Sequence, residues 1–107
     1  MKAAPFDYHL ADHLDHALEL LDHLGDDIKL IAGGQSLVPM MAMRLAKPSH
    51  LVDINRIQSL QQISLQAKTL QTGSAVKQKD LEISDVSQAI PLFKQALPWI
   101  GHQQTRN

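Results

Sequence analysis

Ala32-Gly33-Gly34-Gln35-Ser36-Leu37 is the segment of this 107-residue sequence with the clearest chemical use. An apolar run delivers two glycines to the start of a helix, and that is a place where an anion can sit. Without Cβ atoms, phosphate oxygens can approach the backbone, and the N–H groups of the first helical turn point outward without partners. The helix dipole adds a preference for negative charge. The Gln35 and Ser36 side chains can contribute further hydrogen bonds. By pattern alone a Gly-Gly between strand and helix is also an ordinary turn. It is not a Gly-x-Gly-x-x-Gly dinucleotide fingerprint, and it does not end in the Gly-Lys-Ser/Thr of a nucleotide triphosphatase loop.

Other candidate chemistry is weaker. His9 and His13 are four apart and His13 and His16 three apart, as helical metal ligands can be. No carboxylate completes a ligand pattern, so His9, His13, His16 and His23 are read as exposed, non-converging residues of a solvated face. Ser36 has no local base and is not read as a nucleophile. Met40, Met41 and Met43 read as packing residues. Asp53 and Asn55, at a strand end, default to a turn or cap role. Cys is absent, which excludes disulfides, a thiol nucleophile and a Cys-ligated iron–sulfur cluster within these residues.

The elements that must position the glycines follow from apolar spacing. Leu14, Ala17, Leu18, Leu21 and Leu24 predict a helix over about 12–24, with Asp12 as its cap and Gly25 at the left-handed C′ position. Ile28 to Ala32 is long enough for a buried strand. A second helix, capped by Ser36 and tolerating Pro39 in its first turn, is predicted to reach about Leu45, before Lys47-Pro48. His50 to Ile54 reads as the next strand, giving a short right-handed parallel crossover. Beyond Asn55 the pattern changes. Ile63 to Gln66 and Thr69 to Thr72 alternate around Ala67-Lys68 and predict an antiparallel hairpin. A helical stretch is predicted from about Lys77, breaking at Ser84-Asp85 or Pro91, and a final helix over about 92–100. Gly101 to Asn107 are polar and end without a helix cap or finished strand. The fold class expected is α/β (α+β): a small parallel β-α-β subdomain over 1–57, then the start of an antiparallel-sheet subdomain with helices over 58–107.

A net charge of -1, from 10 basic and 11 acidic residues, offers no footprint for nucleic acid or an anionic membrane. No apolar run approaches the roughly 20 residues of a membrane span, and the first residues lack a secretory h-region. The expected location is cytoplasmic.

Lys29-Leu30-Ile31-Ala32-Gly33-Gly34-Gln35-Ser36-Leu37-Val38-Pro39-Met40-Met41 is far more specific than its two glycines. With Arg44-Leu45-Ala46-Lys47-Pro48, His50-Leu51-Val52-Asp53-Ile54-Asn55-Arg56-Ile57 and the opening Pro5-Phe6-Asp7-Tyr8-His9, it resembles the medium, FAD-binding subunit of the molybdenum hydroxylases. These are the enzymes of the aerobic carbon monoxide dehydrogenase and xanthine dehydrogenase type. The resemblance implies that Ala32, Gly33, Gly34, Gln35 and Ser36 hold the FAD pyrophosphate through backbone amides, with Leu30, Ile31 and Leu37 lining the same site. It also implies a flavin that carries electrons from iron–sulfur clusters of a partner small subunit to an acceptor, beside a large subunit holding the molybdenum cofactor. Family members continue past an Arg-Asn like Arg106-Asn107 into a Gly-Thr-x-Gly-Gly segment that completes the phosphate site. That segment is not among these residues. The expectation is therefore a truncated two-subdomain flavoprotein fold with weak or absent FAD binding on its own. The alternative is a non-catalytic remnant or interaction module that no longer binds FAD.

Overall fold

The computed structural model describes residues 1–107, apart from the side chain of Ser87. The chain divides into two compact units, Met1–Gln58 and Ser59–Asn107.

The first unit is built on a three-stranded parallel sheet. Its strands are β1 (Asp7–Leu10), β2 (Ile28–Ile31) and β3 (His50–Asp53), in the order β1-β3-β2. Asp7 and Ile28 both pair with His50, and Leu10 and Ile31 both pair with Asp53. The predicted β2–helix–β3 crossover is present, and β1, read only as a resemblance in sequence, supplies a third strand. Central β3 is the apolar one: Leu51 and Val52 are buried, as are Ala11, Ala17, Met41, Ile54 and Ile57.

Helix α1 (Leu14–His23) packs against β3. Its cap is His13, not Asp12. The His13 ring accepts from the His16 amide at 3.1 Å with the His13 backbone extended, so an imidazole nitrogen replaces the expected carboxylate. Ala17 is buried and Leu21 half-buried, but Leu14 and Leu18 are exposed, so the apolar stripe is only partly covered. Gly25 takes φ +82° at the C′ position.

Helix α2 (Leu37–Ala42) is shorter than expected. The Leu45 amide donates to the Met40 carbonyl at 2.8 Å and the Arg44 amide to the Met41 carbonyl at 3.0 Å, with Arg44 at φ +59°. This is a Schellman stop without glycine. The Arg44 side chain donates to the Lys2 carbonyl at 3.2 Å. Ser36 occupies the N-cap position, but its side chain makes no capping bond. At φ −95° and ψ −44° its backbone is already helical rather than extended.

The second unit begins with the hairpin β4 (Ile63–Gln66) and β5 (Thr69–Thr72), in the register Ile63 to Thr72 and Gln66 to Thr69. Ala67 makes its two-residue turn at φ +53°. Helices α3 (Gln78–Ile83), α4 (Pro91–Ala96) and α5 (Gln103–Arg106) follow, with 3-10 turns at Val86–Ala89 and Leu97–Trp99. The final residues, for which the sequence predicted no element, form α5. Arg106 organises them. Its guanidinium meets Glu82 at 3.2 Å and donates to the carbonyls of Pro98, Ile100 and Gly101 at 3.1–3.3 Å.

Candidate functional site

The link from β2 to α2 is an open turn. Gly34 sits at φ +72°, a conformation that strains any residue with a Cβ. A Cβ there would also lie 3.0 Å from Val38 Cγ2. A Cβ on Gly33 would meet nothing nearer than Gln35 Cγ at 4.0 Å. The turn is held at its exit by the Val38 amide on the Gly34 carbonyl, 2.9 Å, and by the Met40 amide on the Ser36 carbonyl, 3.2 Å. Among the described residues, the amides of Gly33, Gly34, Gln35, Ser36 and Leu37 donate to no backbone acceptor. Gly33, Gln35 and Ser36 are exposed, so water or an anion can reach these donors. Because α2 has only six residues, the preference for an anion rests on these amides more than on a long helix axis.

Alternation along β2 turns Leu30 and Ile31 to opposite faces of the sheet. Ile31, with Tyr8, Val38, Met41, Ala42 and Leu51, borders an apolar cleft of about 500 Å³ beside the turn. Leu30 is 48 % exposed on the other face. Leu37 opens α2 and brings its amide to the same turn.

At the turn's entrance the Asn55 carboxamide donates to the Ala32 carbonyl at 2.8 Å and to Asp53 Oδ1 at 2.7 Å. The same Asp53 oxygen accepts the Asn55 amide at 2.8 Å, and the Tyr8 hydroxyl donates to Asp53 Oδ2 at 2.5 Å. Tyr8 was not singled out in the sequence; as the second residue of a four-residue strand whose first two residues are exposed, it gives no periodic signal.

Part burial pushes the Asp53 carboxyl up, but the Tyr8 hydroxyl, the two Asn55 donors and the Arg56 charge outweigh it and hold the pKa below its ordinary value. The bond to Asp53, with smaller help from desolvation, raises the Tyr8 phenol. The Asp53 contribution to stability is therefore full above its unfolded pKa of about 3.9 and lost as pH falls through the lower folded value. The Tyr8 contribution is full below about 10 and lost as pH rises through its higher folded value. Tyr8→Phe removes one of the donors that hold Asp53 down. Its acid unfolding, followed by circular dichroism, is expected to begin at a higher pH than in the parent chain. An unchanged acid limb would show that the Tyr8 bond contributes nothing.

The histidines pair rather than gather. His9 Nε2 lies 3.2 Å from His50 Nδ1, and the His13 and His16 rings are 5.7 Å apart. His9 and His16 are half-buried, contrary to the expectation of exposure: His9 shares a sheet face with His50 on the neighbouring strand, and His16 lies on α1 next to buried Ala17. Among the described residues no group of three or more His, Asp or Glu is placed to hold a metal ion. No helix among them is long and apolar enough to cross a membrane.

Parallel strands, a glycine turn with free amides, and a following hairpin unit define the class. The chain belongs to the family described as the FAD binding domain in molybdopterin dehydrogenase, which matches residues 4–107. Its relatives include subunit alpha of the 6-hydroxypseudooxynicotine dehydrogenase complex of Paenarthrobacter nicotinovorans, 46 % identical over 100 % of this chain and 36 % of that protein. The carbon monoxide dehydrogenase medium chain of Hydrogenophaga pseudoflava is 44 % identical over 95 % of this chain and 36 % of its own length. Among solved structures, carbon monoxide dehydrogenase from Hydrogenophaga pseudoflava superposes with a TM-score of 0.93 at 42 % identity, over 100 % of this chain and 38 % of that one. Quinoline 2-oxidoreductase from Pseudomonas putida 86 superposes at 0.90 and 35 % identity, again over 100 % of this chain and 38 % of that one. The chain thus spans little more than a third of the relatives it matches.

Proposed function

We propose that residues 1–107 supply a pyrophosphate clamp of the flavoprotein subunit of a molybdenum hydroxylase. Ala32, Gly33, Gly34, Gln35 and Ser36 hold the FAD diphosphate, and the first unit is the pyrophosphate-binding subdomain. The observation that carries this is the run of amides from Gly33 to Leu37 with no backbone acceptor, on a turn kept open by a left-handed glycine. Bound flavin supplies a carrier that accepts and releases electrons singly or in pairs. The chain's own residues bind and orient: the turn amides donate hydrogen bonds to the diphosphate, while Ile31 and Val38 offer apolar surface beside it. In this reading electrons arrive from an iron–sulfur partner subunit and leave to an acceptor, and a molybdenum-bearing large subunit performs the oxidation. The absence of Cys agrees with clusters held elsewhere, and relatives described as a medium chain and a complex subunit support an assembly with partners.

Charge-assisted hydrogen bonds contribute about 1.5–3 kcal/mol each, against an association cost of about 4 kcal/mol or more. Two or three such bonds fall short of the ~8 kcal/mol that a dissociation constant of 1 μM requires. Residues 1–107 alone are expected to bind FAD one-to-one between roughly 1 μM and 1 mM, with ADP competing and riboflavin, which lacks the diphosphate, not competing. Flavin fluorescence titration reads both. Competition by riboflavin equal to that by ADP would remove the clamp assignment, and so would a lack of saturable binding that persists when the Gly-Thr-x-Gly-Gly segment is supplied.

A further inference from the structure

We infer that Asp53 and Asn55 are positioning residues for the clamp: Asn55 fixes the Ala32 carbonyl at the turn's entrance, and Asp53 fixes Asn55. The inference rests on the pyrophosphate reading and adds to it the groups that preorganise the turn.

The glycine turn has little of its own to hold it. Its exit is tied by the Val38 and Met40 amides. Gly33 has no side chain, and the nearest atom to a Cβ built there is 4.0 Å away, so sterics leave its dihedrals broad. The direction in which the amides of Gly33 to Leu37 point is therefore set largely by where the chain enters. That entrance is the peptide of Ala32, and its carbonyl accepts the Asn55 carboxamide at 2.8 Å. Asn55 cannot swing away easily. Its second amide hydrogen and its own backbone N–H both reach Asp53 Oδ1, at 2.7 and 2.8 Å. Asp53 is held in turn from β1 by the Tyr8 hydroxyl on its other oxygen. One connected set of bonds runs from the first strand, across the end of the central strand, to the residue before Gly33. A turn ordered before binding loses less entropy when an anion arrives.

Backbone ¹⁵N relaxation in the chain without ligand tests this directly, alongside FAD titration. In the parent chain, order parameters at Gly33, Gly34 and Gln35 are expected near those of rigid backbone, about 0.85. Asn55→Ala and Asp53→Ala are each expected to bring them below about 0.6, with Leu51 and Val52 unchanged, and to weaken FAD by about tenfold. Asp53→Asn keeps an acceptor toward Asn55 and a donor that the Tyr8 oxygen can accept, so it is expected to restore both readouts. Retained order at Gly33 to Gln35 in Asn55→Ala would overturn the inference. So would a loss of order spread evenly over β2 and β3, since that is what a residue merely supporting the sheet would give. Failure of the clamp itself looks different. The turn would loosen in Asn55→Ala, yet neither that change nor Gly34→Asp would alter FAD affinity.

Discussion

Gly73→Ala is expected to lower the melting temperature of the second unit by at least about 10 °C. Gly73 follows β5, and its amide donates to the Gln62 carbonyl at 2.8 Å. A Cβ at this position would land on the backbone carbonyl of Leu60. That carbonyl also accepts the Ala75 amide, at 2.9 Å. Backbone cannot rotate aside as a long side chain does, so the crossing must open and both hydrogen bonds are put at risk. Two bonds at about 1 kcal/mol each, plus 1–3 kcal/mol of overpacking, give a loss near 3 kcal/mol or more. Gly33→Ala is the matched control, because its Cβ has open space around it. Thermal unfolding by circular dichroism of the two variants separates them. Equal melting temperatures would show that the Gly73 crossing is not tight in solution.

Gly34→Asp is expected to cost FAD binding two orders of magnitude. A carboxylate about 5 Å from a phosphate charge, at an effective dielectric of ~20, adds roughly 3 kcal/mol of repulsion, which is more than a hundredfold in affinity. Gly34→Asn is the comparison that isolates charge. Both side chains tolerate the φ of +72° better than most, and both put a Cβ against Val38. The Asn variant should therefore carry the steric penalty and not the electrostatic one. Equilibrium dialysis with FAD measures the difference. Equal losses in the two variants would mean that no negative group sits at the turn.

The hairpin was legible in the sequence because both of its signals agree: alternation on each strand and a two-residue break between them. The β2–α2–β3 crossover was legible for the same reason, with glycines and a proline marking its ends. Strand β1 was not. Asp7 and Tyr8 are exposed, and its four residues carry only one aliphatic side chain; it is a strand because β3 is there to pair with it. The end of α2 was misplaced because Arg44, not a glycine, takes the left-handed position. The helix of the tail went unread because Arg106 makes its structure through contacts at Glu82 and at three carbonyls, and such contacts leave no local pattern. At the turn, the glycines were visible as types, but the bond from Asn55 to Ala32 was not. A carboxamide two residues past a strand end looks like a turn until the carbonyl it reaches, 23 residues earlier, is known.

The order β1-β3-β2 also dictates when the first unit can form during synthesis. β1 and β2, consecutive in sequence, are not neighbours and each pairs only with β3, so neither has a ladder to join until His50–Asp53 has left the ribosome. β2 then closes over 22 residues (Ile28 to His50) and β1 over 43 (Asp7 to His50). That near-doubling adds only about 0.6 kcal/mol of closure entropy. The crossover bearing the glycine turn should zip first, with β1 docking onto the free edge of β3 afterwards. At roughly 5–20 residues per second, the nascent chain carries its glycine turn for a second or more before β3 emerges, and for that interval the turn has neither a neighbouring strand nor the Asn55 bond at its entrance.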